Sequence, residues 1–232
     1  SGTYTATVTG SNACSSTCST TISLSGSSSF CTGLRTEAQG TWGANATQYN
    51  MAGYMSARFA QAFPAPNYLT IGCGSRLMRF TSASAVITSL PTYGTPALLP
   101  TGTVVNPGTS VANTLVGQIV SLRINVAMDE LEPSFGAPAA LLKNMVVASG
   151  TFAGWTVQQL LDHANSAIGG CVSQYPLSTI SSALTTLNNG YQTGTTNNGY
   201  LICPGQLFFL AEGGEDPVGE IAGIQHSVFP NP

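Results

Sequence analysis

The sequence predicts an α+β protein: a helix-rich, disulfide-bonded core domain with β-strand segments at its N- and C-terminal ends. Three observations lead there. The chain opens on strict alternation in GTYTATVT, its middle repeats apolar residues at helical spacing, and six cysteines are spread through a chain almost without charge.

In the opening strand Tyr4, Ala6 and Val8 fall on one face and Thr3, Thr5, Thr7 and Thr9 on the other. Gly10-Ser11-Asn12 breaks the run, and Thr20-Thr21-Ile22-Ser23-Leu24 is a second alternating piece. Ser25-Gly26-Ser27-Ser28-Ser29 is a flexible link. A lone strand is unstable in water, and Thr3 to Thr9 have no evident partner nearby. Pairing with a sheet edge of another copy is therefore expected, or else with the C-terminal strand of the same chain.

From Cys31 the texture changes. Met51, Tyr54, Met55, Phe59, Ala62 and Phe63 predict a helix stopped by Pro64. Tyr68-Leu69-Thr70-Ile71 and Leu77-Met78-Arg79-Phe80 are short strands around Gly72-Cys73-Gly74. Thr81 or Ser82 caps a helix carrying Val86, Ile87 and Leu90, closed by Pro91. Residues 91–109, rich in proline and glycine, form a loop. Ser110 caps a long helix to about Met128, polar at Thr114, Gln118, Ser121 and Asn125 and otherwise so apolar that it belongs at the centre of the core.

Thr156-x-x-Gln159 is a capping box, followed by the apolar stripe Val157, Leu160, Leu161, Ala164 and Ile168 and ended by Gly169-Gly170. Ser178 opens a further helix with Ile180, Ala183, Leu184 and Leu187 inward and Asn189-Gly190 at its end. Strand character returns in Gln206-Leu207-Phe208-Phe209-Leu210. The chain thus divides into an N-terminal strand and connector (residues 1–30), a helix-rich core domain (31–205) and a C-terminal strand and connector (206–232). No internal repeat of fixed period is present.

Charged residues make up 6% of the 232, against roughly a quarter in an ordinary domain. The basic ones are Arg35, Arg58, Arg76, Arg79, Arg123 and Lys143, too few and too scattered to neutralise a run of phosphates, so nucleic acid is not an expected partner. No apolar run is long enough for a membrane span. No signal peptide is visible, which is expected of a mature or excised chain. A surface of hydroxyls, amides and apolar side chains lacks the repulsion that keeps proteins apart, which favours contact with copies of the chain, a cell surface or another polymer.

Cys14, Cys18, Cys31, Cys73, Cys171 and Cys203 are even in number, and three disulfides in an oxidising compartment are expected, in any of fifteen pairings. Cys14 and Cys18 would need two more ligands to hold zinc, and His163 and His226 have no ligand-like spacing.

No catalytic set can be assembled. His163 adjoins Asp162, but consecutive helical residues diverge, and the helix stripe puts His163 near its polar side. No G-x-S-x-G elbow surrounds a serine. A glycosidase needs two convergent carboxylates. The acids instead cluster as Asp129-Glu130-x-Glu132 and as Glu212, Glu215 and Asp216 with Glu220, both in expected loops. The ligand these oxygens suit is calcium, without the spacing of a defined calcium loop; no other cofactor is expected. Trp42, Trp155, Tyr49, Tyr54, Tyr68 and Tyr93 are candidates for stacking on carbohydrate, weighed against ordinary packing.

Three stretches carry resemblances. GTYTATVTGSNAC, residues 2–14, resembles the G-T-Y-x-V-x-V-T-(polar)-C ending of Ig-like repeats in gliding and surface adhesins exported by the type IX secretion system. SVFPNP, residues 227–232, is similar to the (V/I)-(Y/F)-P-N-P opening of the C-terminal sorting domain of type IX substrates, which implies a sorting domain removed at that point. LTIGCGSRLMRFTSASAVITSLPTYGTPALL, LVGQIVSLRINVAM, GWTVQQLLDHANSAIGGC and LTTLNNG together resemble an uncharacterised domain of secreted, surface-associated bacterial proteins that often opens T-Q-G-Y-W-G. Glu37-Ala38-Gln39-Gly40-Thr41-Trp42-Gly43 departs from that opening. The family brings no catalytic residues; it implies an extracellular place at a bacterial surface.

The expected function is a structural or adhesive surface protein, not an enzyme, that self-associates through the strand Thr3, Tyr4, Thr5, Ala6, Thr7, Val8 and Thr9, with filaments formed by strand exchange. The alternative is a monomeric module of a larger adhesin that binds glycan or protein through loop 91–109.

Overall fold

The structure is a computed structural model that describes residues 2–9 and 15–22 as backbone, and residues 33–204 except 67, 133, 134, 137–139 and 173. It is α+β. The opening strand β1 (Gly2–Thr9) pairs antiparallel with β2 (Ser15–Ile22), Gly2 opposite Ile22 and Thr9 opposite Ser15. The expectation that β1 lacks a nearby partner is thus corrected: its partner is the next segment, whose Ser/Thr-rich run hides a strand longer than the Thr20–Leu24 alternation. The Ser25–Ser29 link and the strand expected at 206–210 lie outside the described residues.

The body is built on α4 (Thr114–Leu131), which is buried on nearly every side. Packed around it are α1 (Gln39–Trp42), α2 (Met51–Ala62), α5 (Val157–Ile168), α6 (Leu177–Asn188) and strand β3 (Leu69–Cys73). A single hydrophobic cluster runs from Leu34 to Leu201. β3 forms a hairpin with β4 (Arg76–Phe80). After α3 (Ala83–Ser89), capped by Ser82, the chain returns as β5 (Gly102–Val105), parallel to β4. A parallel partner needs a crossover, and α3 with the following loop supplies it. β6 (Val146–Val147) and β7 (Leu201–Ile202) make a separate small ladder.

Several boundaries differ from expectation, among them β3 and β4, which take in Gly72, Cys73 and Arg76. Residues 91–109 are not all loop, since β5 lies within them. α4 starts at Thr114 under an Asn113 cap; Ser110 closes a 3₁₀ turn, its hydroxyl donating to the Pro107 carbonyl. α6 starts at Leu177, just after Pro176, rather than at Ser178. Asp129 and Glu130 belong to the last turn of α4 and Glu132 follows it directly, so this acidic cluster is not a loop.

From Gln118 on, the polar stripe of α4 is buried as well. Asn188 of α6 donates to the Gln118 side chain at 2.8 Å and accepts from Asn125 at 3.0 Å. Asn125 also donates to the Glu37 carbonyl and accepts from its amide. Gln39 Oε1 accepts from Thr92 at its amide, 2.9 Å, and its hydroxyl. The stretch that departs from T-Q-G-Y-W-G is therefore a polar clamp onto α4, with Trp42 wholly buried and stacked on Phe135. Each of these amides would carry a desolvation penalty of about 1–3 kcal/mol without its partner.

Candidate functional site

The described acidic residues do not converge. Asp129 is buried and accepts the Leu142 amide at 2.7 Å. Glu130 pairs with Lys143, and Glu132 with Arg58 at 2.9 Å. Among the described residues no group of three or more His, Cys, Asp or Glu side chains is arranged to hold a metal. Glu212, Glu215, Asp216, Glu220 and His226 lie outside them.

Cys73 and Cys171 are joined, fixing the end of β3 to the turn after α5 across 98 residues of sequence. Gly169 lies against this joint so closely that a Cβ there would stand 2.3 Å from the Cys73 nitrogen. Cys203 is also disulfide-bonded, its partner outside the described side chains, which leaves Cys14, Cys18 and Cys31.

A cavity of about 510 Å³ opens on α5. The capping box starts this helix: Thr156 Oγ1 accepts from the Gln159 amide, and Gln159 Oε1 accepts from the Thr156 amide at 2.8 Å. Gln159, Asp162, His163 and Ser166 then share one outward face, at spacings of three and four. Trp155 precedes the helix, its carbonyl accepting from Val147 at 2.8 Å, and its half-buried ring makes one wall.

Behind that wall the rings meet edge to face, Trp155 on His163 at 5.3 Å and on Phe152 at 5.3 Å, and His163 on Tyr175 at 5.4 Å. His163 Nε2 is buried without a partner, and desolvation lowers the imidazole pKa, so the ring is neutral at pH 7. Asp162 Oδ1 accepts from Gln158. The arrangement offers an indole beside an amide, a carboxylate and a hydroxyl, groups that suit stacking and hydrogen bonding to a hydroxylated ring.

A second hollow of about 350 Å³ lies where loop 91–109 meets α3, beside Tyr93, which is 73% exposed. Of the aromatic candidates, Trp42 is core, Tyr54 lies under the Arg58 guanidinium at 3.8 Å, and Tyr49 stands free in solvent. Sequence reasoning placed His163 at a boundary but missed the ring cluster around it. Phe152, Trp155, His163 and Tyr175 follow no period, and only the Gly150 and Gly154 turn signals flanking Phe152 hinted that rings converge there.

No known protein family, curated protein or solved structure matches the chain.

Proposed function

We propose that the chain is an extracellular protein of a bacterial surface, structural and adhesive, that associates with copies of itself by strand exchange. The observation that carries this reading is the β1–β2 pair, a sheet of two strands only among the described residues. Two strands are marginal in water and gain from a third, and their outer edges are templates for another chain. No charged residue precedes Arg35, so nothing along either strand repels a partner. The resemblance of residues 2–14 and 227–232 to type IX adhesins and sorting domains supports the surface location.

Electron microscopy and light scattering on the whole chain test the reading, beside the double variant Thr5→Pro/Thr7→Pro, which breaks β1. The wild type is expected to form ordered polymers and the variant to remain monomeric with an unchanged melt of the body. A monomeric wild type at high concentration would overturn it.

The alternative, a ligand-binding module of a larger adhesin, is favoured by the Trp155 cavity. Trp42 is wholly buried, so a change in tryptophan emission on adding oligosaccharides would report Trp155. Trp155→Ala should abolish it. An emission unmoved across a glycan panel would remove this alternative.

A further inference from the structure

The edge of β5 offers the acceptor that strand exchange requires. The Gly102 amide donates to Ser75 at 2.6 Å and the Asn106 amide to Arg79 at 2.9 Å, both toward β4. With the two-residue period of a parallel ladder, Val104 turns the same way, and Thr103 and Val105 direct their amides and carbonyls outward. Among the described residues the sheet order is β3-β4-β5, with no strand beyond β5. At the opposite edge β3 is covered, the Gly72 amide donating to Asn165 of α5.

Proteins ordinarily guard such an edge with lysine, inward charge or proline. β5 carries none of these: it reads GTVV, Val105 is 51% exposed, and no charged residue occurs between Arg79 and Arg123. The hairpin is equally uncharged, while the rest of the chain holds all fifteen of its Lys, Arg, Asp and Glu side chains elsewhere.

We infer that β5 is the acceptor edge for the β1–β2 hairpin of a second copy of this chain. The inference rests on the proposed self-association and names its second surface. Donor and acceptor match in being short and free of charge, so joining them desolvates no ion. In the described chain the hairpin and the β3-β4-β5 sheet are separate sheets, which leaves the edge open to another copy. Donor and acceptor are different surfaces, so the contact is heterologous and, where its rotation does not close a ring, repeats as an open chain.

Three full-length variants test it by sedimentation and hydrogen exchange. Val105→Pro removes an outward amide at a position where an edge tolerates proline. Val105→Lys places a charge on the edge, and Tyr49→Lys places the same charge on a remote exposed ring. The two Val105 variants should raise the concentration for half-assembly by about tenfold or more, through a lost hydrogen bond or an ammonium brought into a contact. Tyr49→Lys should leave it unchanged, and all three should melt as the wild type does. In the wild type the Thr103 and Val105 amides should exchange fast in dilute monomer and slowly in polymer. A wild type that polymerises while these amides stay fast, or while both Val105 variants polymerise equally well, overturns the β5 assignment and leaves self-association standing. A wild type that stays monomeric overturns self-association itself, and the inference with it.

Discussion

Asp129 shows how one buried carboxylate couples this fold to pH. It accepts one amide, from Leu142, and its other oxygen has no partner. Burial raises its pKa from 3.8 to about 6, with Glu130 pushing the same way and Lys143 and the Leu142 hydrogen bond opposing. Between those values the folded protein binds more protons than the unfolded chain, so stability from this group falls as pH rises from about 4 to 6 and stays lost above. Asp129→Asn keeps an acceptor for Leu142 and removes the charge. It should be more stable than the wild type in urea at pH 8, with the difference gone at pH 4. A second residue-scale test is Gly117→Ala. A Cβ there would lie 1.8 Å from Gln39 Oε1, so the clamp on Thr92 must open, at a cost of about 1–3 kcal/mol in denaturant midpoint experiments.

The elements differ in how openly the sequence declares them. α2, α5 and the β3–β4 hairpin were legible because their signals are local: apolar spacing, a capping box, a glycine pair. α4 was legible as the central helix from its composition, but its start was not. Ser110 and Asn113 are both good caps, and only the 3₁₀ turn that Ser110 closes decides between the two. β5 was hidden by prolines and glycines on either side, and its strand state depends on β4, a partner more than twenty residues away. The pairing of Glu37 with Asn125 and of Asn125 with Asn188 joins residues 88 and 63 positions apart, beyond any periodicity. Of the candidate site, Trp155 and His163 were singled out separately; their meeting over Phe152 and Tyr175 was not readable. The Cys73–Cys171 bond ties the hairpin to α5. Replacing both cysteines by alanine should cost about 2–5 kcal/mol, measured as a fall in melting temperature under non-reducing conditions.

At the scale of the whole molecule, the scarcity of charge governs behaviour. Association between surfaces without ions has little Coulomb energy for salt to screen. For the polymer proposed above, mass should therefore change little between low and physiological ionic strength, and a steep loss on adding salt would show that the few arginines hold copies together.

The bond from Cys203 has a mechanical consequence. Its partner precedes Arg35, so the covalent path from the first residues to those beyond 203 bypasses the helices and sheets between. Tension applied at the two ends of one chain would run through sulfur and leave the folded body unloaded, as a shackle spares the rope beside it. Pulled from its two ends in optical tweezers, the oxidised protein should extend without the unfolding step of the body. With reductant present that step should appear, adding about 3.3–3.6 Å for every residue released.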